Sequence, residues 1–89
     1  MSWRLIFTQQ YTRKAAKFIK NHPDVENQYA KTLQLLEVNP HHASLRLHAM
    51  KDKLDGLYSV SINLKYHITL TMIITDKEVV LVNVGDIIP

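Results

Sequence analysis

The stretch "LRLHAMKDKLDGLYSVSINLKYHITL", Leu45 to Leu70, sets Arg46, His48, Lys51, Lys53 and His67 among regularly spaced apolar residues. These polar side chains fall into two chemical classes. An imidazole with an ordinary pKa of about 6.5 gives or takes a proton near neutral pH. Arginine grips a phosphate through a planar fork, and lysine holds one as a point charge. Together they are the groups needed to move protons around a phosphodiester and to neutralise the charge that builds on it. The bland alternative is a solvated sheet face, on which Ser, Thr, His and Arg are ordinary residents.

Other chemistries find little support. There is no cysteine, and Gly56 and Gly85 are the only glycines. A thiol nucleophile, a thiolate metal site and a glycine-rich phosphate loop are therefore excluded. No serine sits in an elbow-type sequence. His41 and His42 are adjacent after Pro40, but no partner stands at metal-ligand spacing, so no metal and no other cofactor is expected. His22, before Pro23, is expected to cap a helix or face water. Trp3 reads as core or edge packing.

The elements that must position these groups follow from periodicity. "WRLIF" reads as a short strand. Tyr11, Ala15, Phe18 and Ile19 then recur at helical spacing opposite a basic face, with Thr8 as N-cap, which predicts a helix over 9–21. "HPD" interrupts it. A second helix is expected over 24–38, with Val25, Tyr29, Leu33 and Leu36 on one stripe, closed by Asn39-Pro40. From Ser44 the period becomes two. Leu45 and Leu47 alternate with Arg46 and His48; Tyr58, Val60, Ile62 and Leu64 alternate with Ser59, Ser61 and Asn63. Ile68, Leu70 and Met72 alternate with His67, Thr69 and Thr71. "TDKE" reads as a turn, and "VVLVNV", apolar on both faces, as a central strand.

Strand, two helices, then four strands predicts an α+β fold. Two N-terminal helices pack on one face of a mainly antiparallel sheet of four to five strands. Leu45, Leu47, Val60, Ile62, Ile68 and Leu70 should lie under the helices. Arg46, His48, Ser59, Ser61, His67 and Thr69 should share the opposite face, at cross-strand spacings of about 5–8 Å that suit a phosphodiester.

The chain has 89 residues, a formal charge of +3 and a sequence pI of about 9.3. One domain over 1–89 is expected. The cations gather in the first part, from Arg4 to Lys53, whereas the remainder has only Lys65 and Lys77 against Asp55, Asp76, Glu78 and Asp86. That bias points to an anionic partner. The lack of cysteine fits a reducing, cytoplasmic location. No signal peptide and no membrane span is expected.

The order and spacing of several pieces resemble the RelE/ParE superfamily of bacterial toxin–antitoxin toxins, most of all its RelE- and YafQ-like ribonuclease branch. The pieces are "AAKFIK", the "NP" closing the second helix, "LRLHAMKDKLDGLYSVSINLKYHI" and "LVNVGD". The resemblance implies a toxin of a type II toxin–antitoxin system. It would cut messenger RNA on the ribosome without a metal, by attack of the 2′-hydroxyl on the adjacent phosphorus, and so stop translation. It implies contacts to mRNA and ribosomal RNA, a cognate antitoxin as protein partner in a hetero-oligomer, and no membrane.

His48 falls at a histidine position of many relatives, and Lys51 and Lys53 at their basic residues before an "L.G" turn. Tyr58 falls at an aromatic position and is assigned to the core. The expected site is therefore His48 and His67 as acid and base, with Arg46, Lys51 and Lys53 on the phosphate. The chain also departs from the pattern. Relatives usually have "YRI" where this chain has "YHI" at Tyr66 to Ile68, and a second arginine where it has Ser61. They commonly end "G.H…VY", whereas this chain ends "GDIIP". These losses imply weakened catalysis. The other function class is a binding module: a ParE-like inhibitor of DNA gyrase, or a degenerate toxin that only engages its antitoxin.

Overall fold

Thr8 sits in extended backbone, and its hydroxyl accepts from the Tyr11 N–H at 3.1 Å, which opens the first helix. The computed structural model describes residues 2–50 and 56–86. Its order is β1 (Arg4–Phe7), α1 (Gln9–Asn21), α2 (Glu26–Val38), β2 (His48–Ala49), β3 (Tyr58–Ser61), β4 (Tyr66–Ile73) and β5 (Glu78–Asp86). α1 buries Tyr11 and Phe18 and half-buries Ala15 and Ile19, while Arg13, Lys17 and Lys20 stay in solvent. His22 closes it: its Nδ1 lies 2.9 Å from the Phe18 carbonyl oxygen, and its ring packs against Phe18 and Tyr66.

Residues 23–25 form a separate 3₁₀ turn, so α2 proper begins at Glu26 rather than Asp24. Pro23 presets the turn's backbone angle, and Asp24 and Glu26 place negative charge at the N-terminal end of the helix dipole. α2 buries Tyr29, Thr32 and Leu36. The Thr32 hydroxyl donates to the Gln28 carbonyl at 2.8 Å, which satisfies it inside the helix. The Tyr11 and Tyr29 hydroxyls meet at 2.7 Å and tie the two helices together in the core.

The five strands run in the order β1-β5-β4-β3-β2. β1 is parallel to β5, and every other pairing is antiparallel. β5, which holds the "VVLVNV" stretch, is flanked on both sides as its sequence predicts. Cross-strand partners share a face. Val60, Ile68 and Val84 therefore form one buried row; Leu70 and Leu81 form another, continued by the half-buried Tyr58. Leu45, Val60, Ile68 and Leu70 are buried as expected; Leu47 and Ile62 are half-buried against the same core.

One expectation is corrected. Leu45 to His48 is not a continuous strand. Ala43–Leu45 is a 3₁₀ turn, and Arg46 follows in left-handed backbone with φ 51° and ψ 48°. The strand pairs only at His48 and Ala49, opposite Ser59 and Tyr58. His42 favours this ending, because its Nδ1 accepts from the Ser44 N–H at 3.1 Å and starts the turn. Leu45 is still buried, but by a turn and not by sheet alternation.

Candidate functional site

The helices cover one face of the sheet, and the other carries the polar residues. Two rows of cross-strand partners define it. One runs His48, Ser59, Thr69, Asn83 across β2, β3, β4 and β5; the next runs Ser61, His67, Gly85 across β3, β4 and β5. His48 and His67 therefore stand on strands separated by β3. The small side chains of Ser59 and Ser61 let their rings lean together, with centroids 6.4 Å apart and planes at 78°. Gly85, opposite His67, adds no side chain to that flank.

Each ring has a distinct setting. His48 is exposed, and its Nδ1 lies 3.0 Å from the Arg46 carbonyl oxygen. A carbonyl only accepts, so Nδ1 carries the hydrogen and Nε2 is the nitrogen left to exchange a proton. The left-handed turn at Arg46 supplies that carbonyl, a strained conformation used to orient a side chain. His67 is half-buried, and its Nδ1 is the one buried side-chain polar atom among the described residues that lacks a hydrogen-bond partner. Burial first, and then the neighbouring His48, hold the His67 imidazole below the usual histidine range.

Of the five site residues expected from sequence, the structure brings His48 and His67 together on the open face. Arg46 is exposed beside His48, but on a turn rather than at a strand position, and its backbone oxygen makes the contact to the site. Lys51 and Lys53 lie outside the described residues, as do residues 87–89 of the tail. Ser59 lies on the open face yet is buried.

Asn83 was missed by sequence reasoning. Strict alternation from the buried Val79 and Leu81 assigns it to the core. An irregularity between Thr69 and Leu70 leaves Val82 as an extra residue in β5 and turns Asn83 to the open face opposite Thr69. Its Oδ1 accepts from the Val84 N–H at 2.9 Å, so its amide donors are fixed in direction. The signal was present: an asparagine inside an otherwise apolar run marks a position the core rejects.

No group of three or more His, Cys, Asp or Glu suited to a metal occurs among the described residues. No helix among them is long and apolar enough to cross a membrane.

No protein-family model and no curated protein sequence matches the chain. Solved structures do. YafQ from E. coli strain BL21(DE3) matches with a TM-score of 0.74 at 14% identity, over 94% of this chain and 92% of that one. The toxin–antitoxin complex RelBE2 from Mycobacterium tuberculosis gives 0.72 at 16% identity, over 98% and 100%. A YoeB/ParE toxin from Agrobacterium tumefaciens gives 0.72 at 8% identity, over 96% and 99%. The chain thus has the RelE/ParE-like toxin fold over nearly its whole length.

Proposed function

We propose that this chain is the toxin of a type II toxin–antitoxin pair and a ribosome-dependent messenger RNA endoribonuclease that works without a metal. The observation that carries the reading is the His48–His67 pair on the open face. Fold likeness to toxins, one of them solved with its antitoxin, supports the toxin role and a cognate antitoxin as partner.

The chemistry needs two proton carriers in opposite states. His67, held below the usual histidine range by burial and by His48, stays neutral at neutral pH and takes the 2′-hydroxyl proton. The 2′-oxygen then attacks the adjacent phosphorus. His48, oriented through Nδ1 by the Arg46 carbonyl, gives a proton from Nε2 to the departing 5′-oxygen. The products are a 2′,3′-cyclic phosphate and a 5′-hydroxyl end. Charge on His48 disfavours charge on His67, which keeps His67 available as the base. Arg46, Lys51 and Lys53 neutralise the phosphorane, and the fixed amide of Asn83 adds an uncharged donor to the same face.

The test is cleavage of messenger RNA on programmed ribosomes by the wild type, His48→Ala and His67→Ala. Each alanine variant should lose about 100-fold in rate, and the wild-type pH profile should be bell-shaped. Unchanged cleavage in both variants removes the histidines from the mechanism. No cleavage by the wild type, with antitoxin binding intact, assigns the chain to the binding-only class.

A further inference from the structure

We infer that His42, outside the catalytic pair, is a positioning residue for His48 and acts on it through the backbone of residues 43–46. His42 is exposed, and its Nδ1 accepts from the Ser44 N–H at 3.1 Å. An amide N–H only donates, so this Nδ1 carries no hydrogen. His48 has the opposite arrangement, since its Nδ1 donates to the Arg46 carbonyl at 3.0 Å. The two contacts are the ends of one short path.

The path starts at a fixed point. Pro40 is fully buried, and Asn39 holds the loop around it. The Asn39 side-chain oxygen accepts from the His41 N–H at 3.0 Å, and its carbonyl accepts from the His42 N–H at 3.0 Å. The His42 ring then acts as an asparagine side chain does in a turn, bonding the backbone N–H two residues on. That contact satisfies an amide left open at the start of the 3₁₀ turn. The turn closes with the Leu45 N–H on the His42 carbonyl at 3.0 Å and the Arg46 N–H on the Ala43 carbonyl at 3.2 Å, and Leu45 is buried at its end.

Arg46 follows at φ 51° and ψ 48°, a conformation unfavourable for a residue with a Cβ. It persists only while its surroundings hold it. The capped turn holds it on one side; on the other, His48 and Ala49 are paired with Ser59 and Tyr58. Those two angles set the direction of the Arg46 carbonyl. Release of the turn lets Arg46 relax toward extended backbone and swings its oxygen away from His48. The Nδ1 hydrogen then has no fixed acceptor, and neither tautomer nor ring direction is held. The positioning stands on these contacts alone. Its effect on rate rests on the catalytic reading above, in which His48 gives a proton from Nε2.

The experiment has two arms. In the first, NMR of ¹⁵N-labelled histidine rings reads the His48 tautomer at about pH 8, where ordinary imidazoles are neutral. The wild type should show His48 with its hydrogen on Nδ1, and His42→Ala should show a mixture of the two tautomers. His42→Asn, which offers an accepting oxygen to the Ser44 N–H, should restore the wild-type signal. The second arm is cleavage on programmed ribosomes. His42→Ala should lower kcat with KM unchanged, by no more than the roughly 100-fold expected of His48→Ala. His42→Asn should recover the rate. Adding His42→Ala to His48→Ala should cost nothing further, because the first change acts only through the second residue. An unchanged His48 tautomer in His42→Ala, a His42→Asn variant no better than His42→Ala, or additive losses in the double variant overturns the inference. A tautomer shift in a chain that cleaves no RNA supports the positioning role and refutes the catalytic reading alone.

Discussion

His67 is where the fold acts most directly on chemistry. Its imidazole is pushed below the ordinary histidine range, chiefly by burial and then by His48. The unfolded chain therefore binds this proton more readily than the folded one. Acidification through about pH 6.5 favours unfolding, and the penalty is absent above that range. Urea midpoints at pH 7.5 and 5.5 should differ less for His67→Gln than for the wild type. In a proton NMR titration, His48→Ala should move the His67 pKa upward yet leave it below the ordinary value, because burial is the larger cause. A His67 midpoint at or above the free-histidine value in the wild type would contradict the setting described.

Among the elements, a buried side-chain hydrogen bond joins the two helices within a largely apolar core. The Tyr11 and Tyr29 hydroxyls share a hydrogen bond at 2.7 Å, and burial, as the largest cause, raises the pKa of both phenols, so both stay neutral at physiological pH. Removing one hydroxyl strands the other. Tyr29→Phe should cost about 1–3 kcal/mol in urea denaturation, the range for an unsatisfied buried polar group. Replacing both tyrosines by phenylalanine should cost less than the sum of the single changes, since no stranded donor remains. Additive losses would show that the hydroxyls act independently. The bulge in β5 is the other telling element, because it swaps which residues of one strand face the open side.

Across the whole molecule the stability margin is thin. A domain of this length buries only about 60–65% of its unfolded surface. Leu81 is fully buried at the centre of β5, which is held on both sides. Leu81→Ala should cost about 2–5 kcal/mol by thermal or urea unfolding, a large share of a typical 5–15 kcal/mol total. Charge acts at the same scale. If Lys51 and Lys53 neutralise phosphates, Lys51→Glu with Lys53→Glu should weaken ribosome association. It should also make the logarithmic salt dependence shallower by about 0.7–0.9 for every phosphate that is no longer neutralised. Equal pelleting with ribosomes at every salt concentration would remove these lysines from the RNA interface.

The element order, the helix bounds near Thr8 and Asn39, and the faces of β3 and β4 were all legible along the chain. Each of these rests on local periodicity or a capping residue, and such signals are carried by near neighbours in the chain. His67 was legible for the same reason, on the polar parity of β4; His48 was reached by extending an alternation of which only His48 and Ala49 are strand. Three features depended on tertiary structure. Arg46 left the strand because the His42-capped turn and the burial of Leu45 outweighed alternation. Asn83 reached the open face because β5 must pair with β4 while filling a core with both Leu81 and Val84, and one extra residue resolves that conflict. The depressed pKa and unpartnered Nδ1 of His67 come from neighbours brought across strands, and no pattern along the chain records how closely they pack.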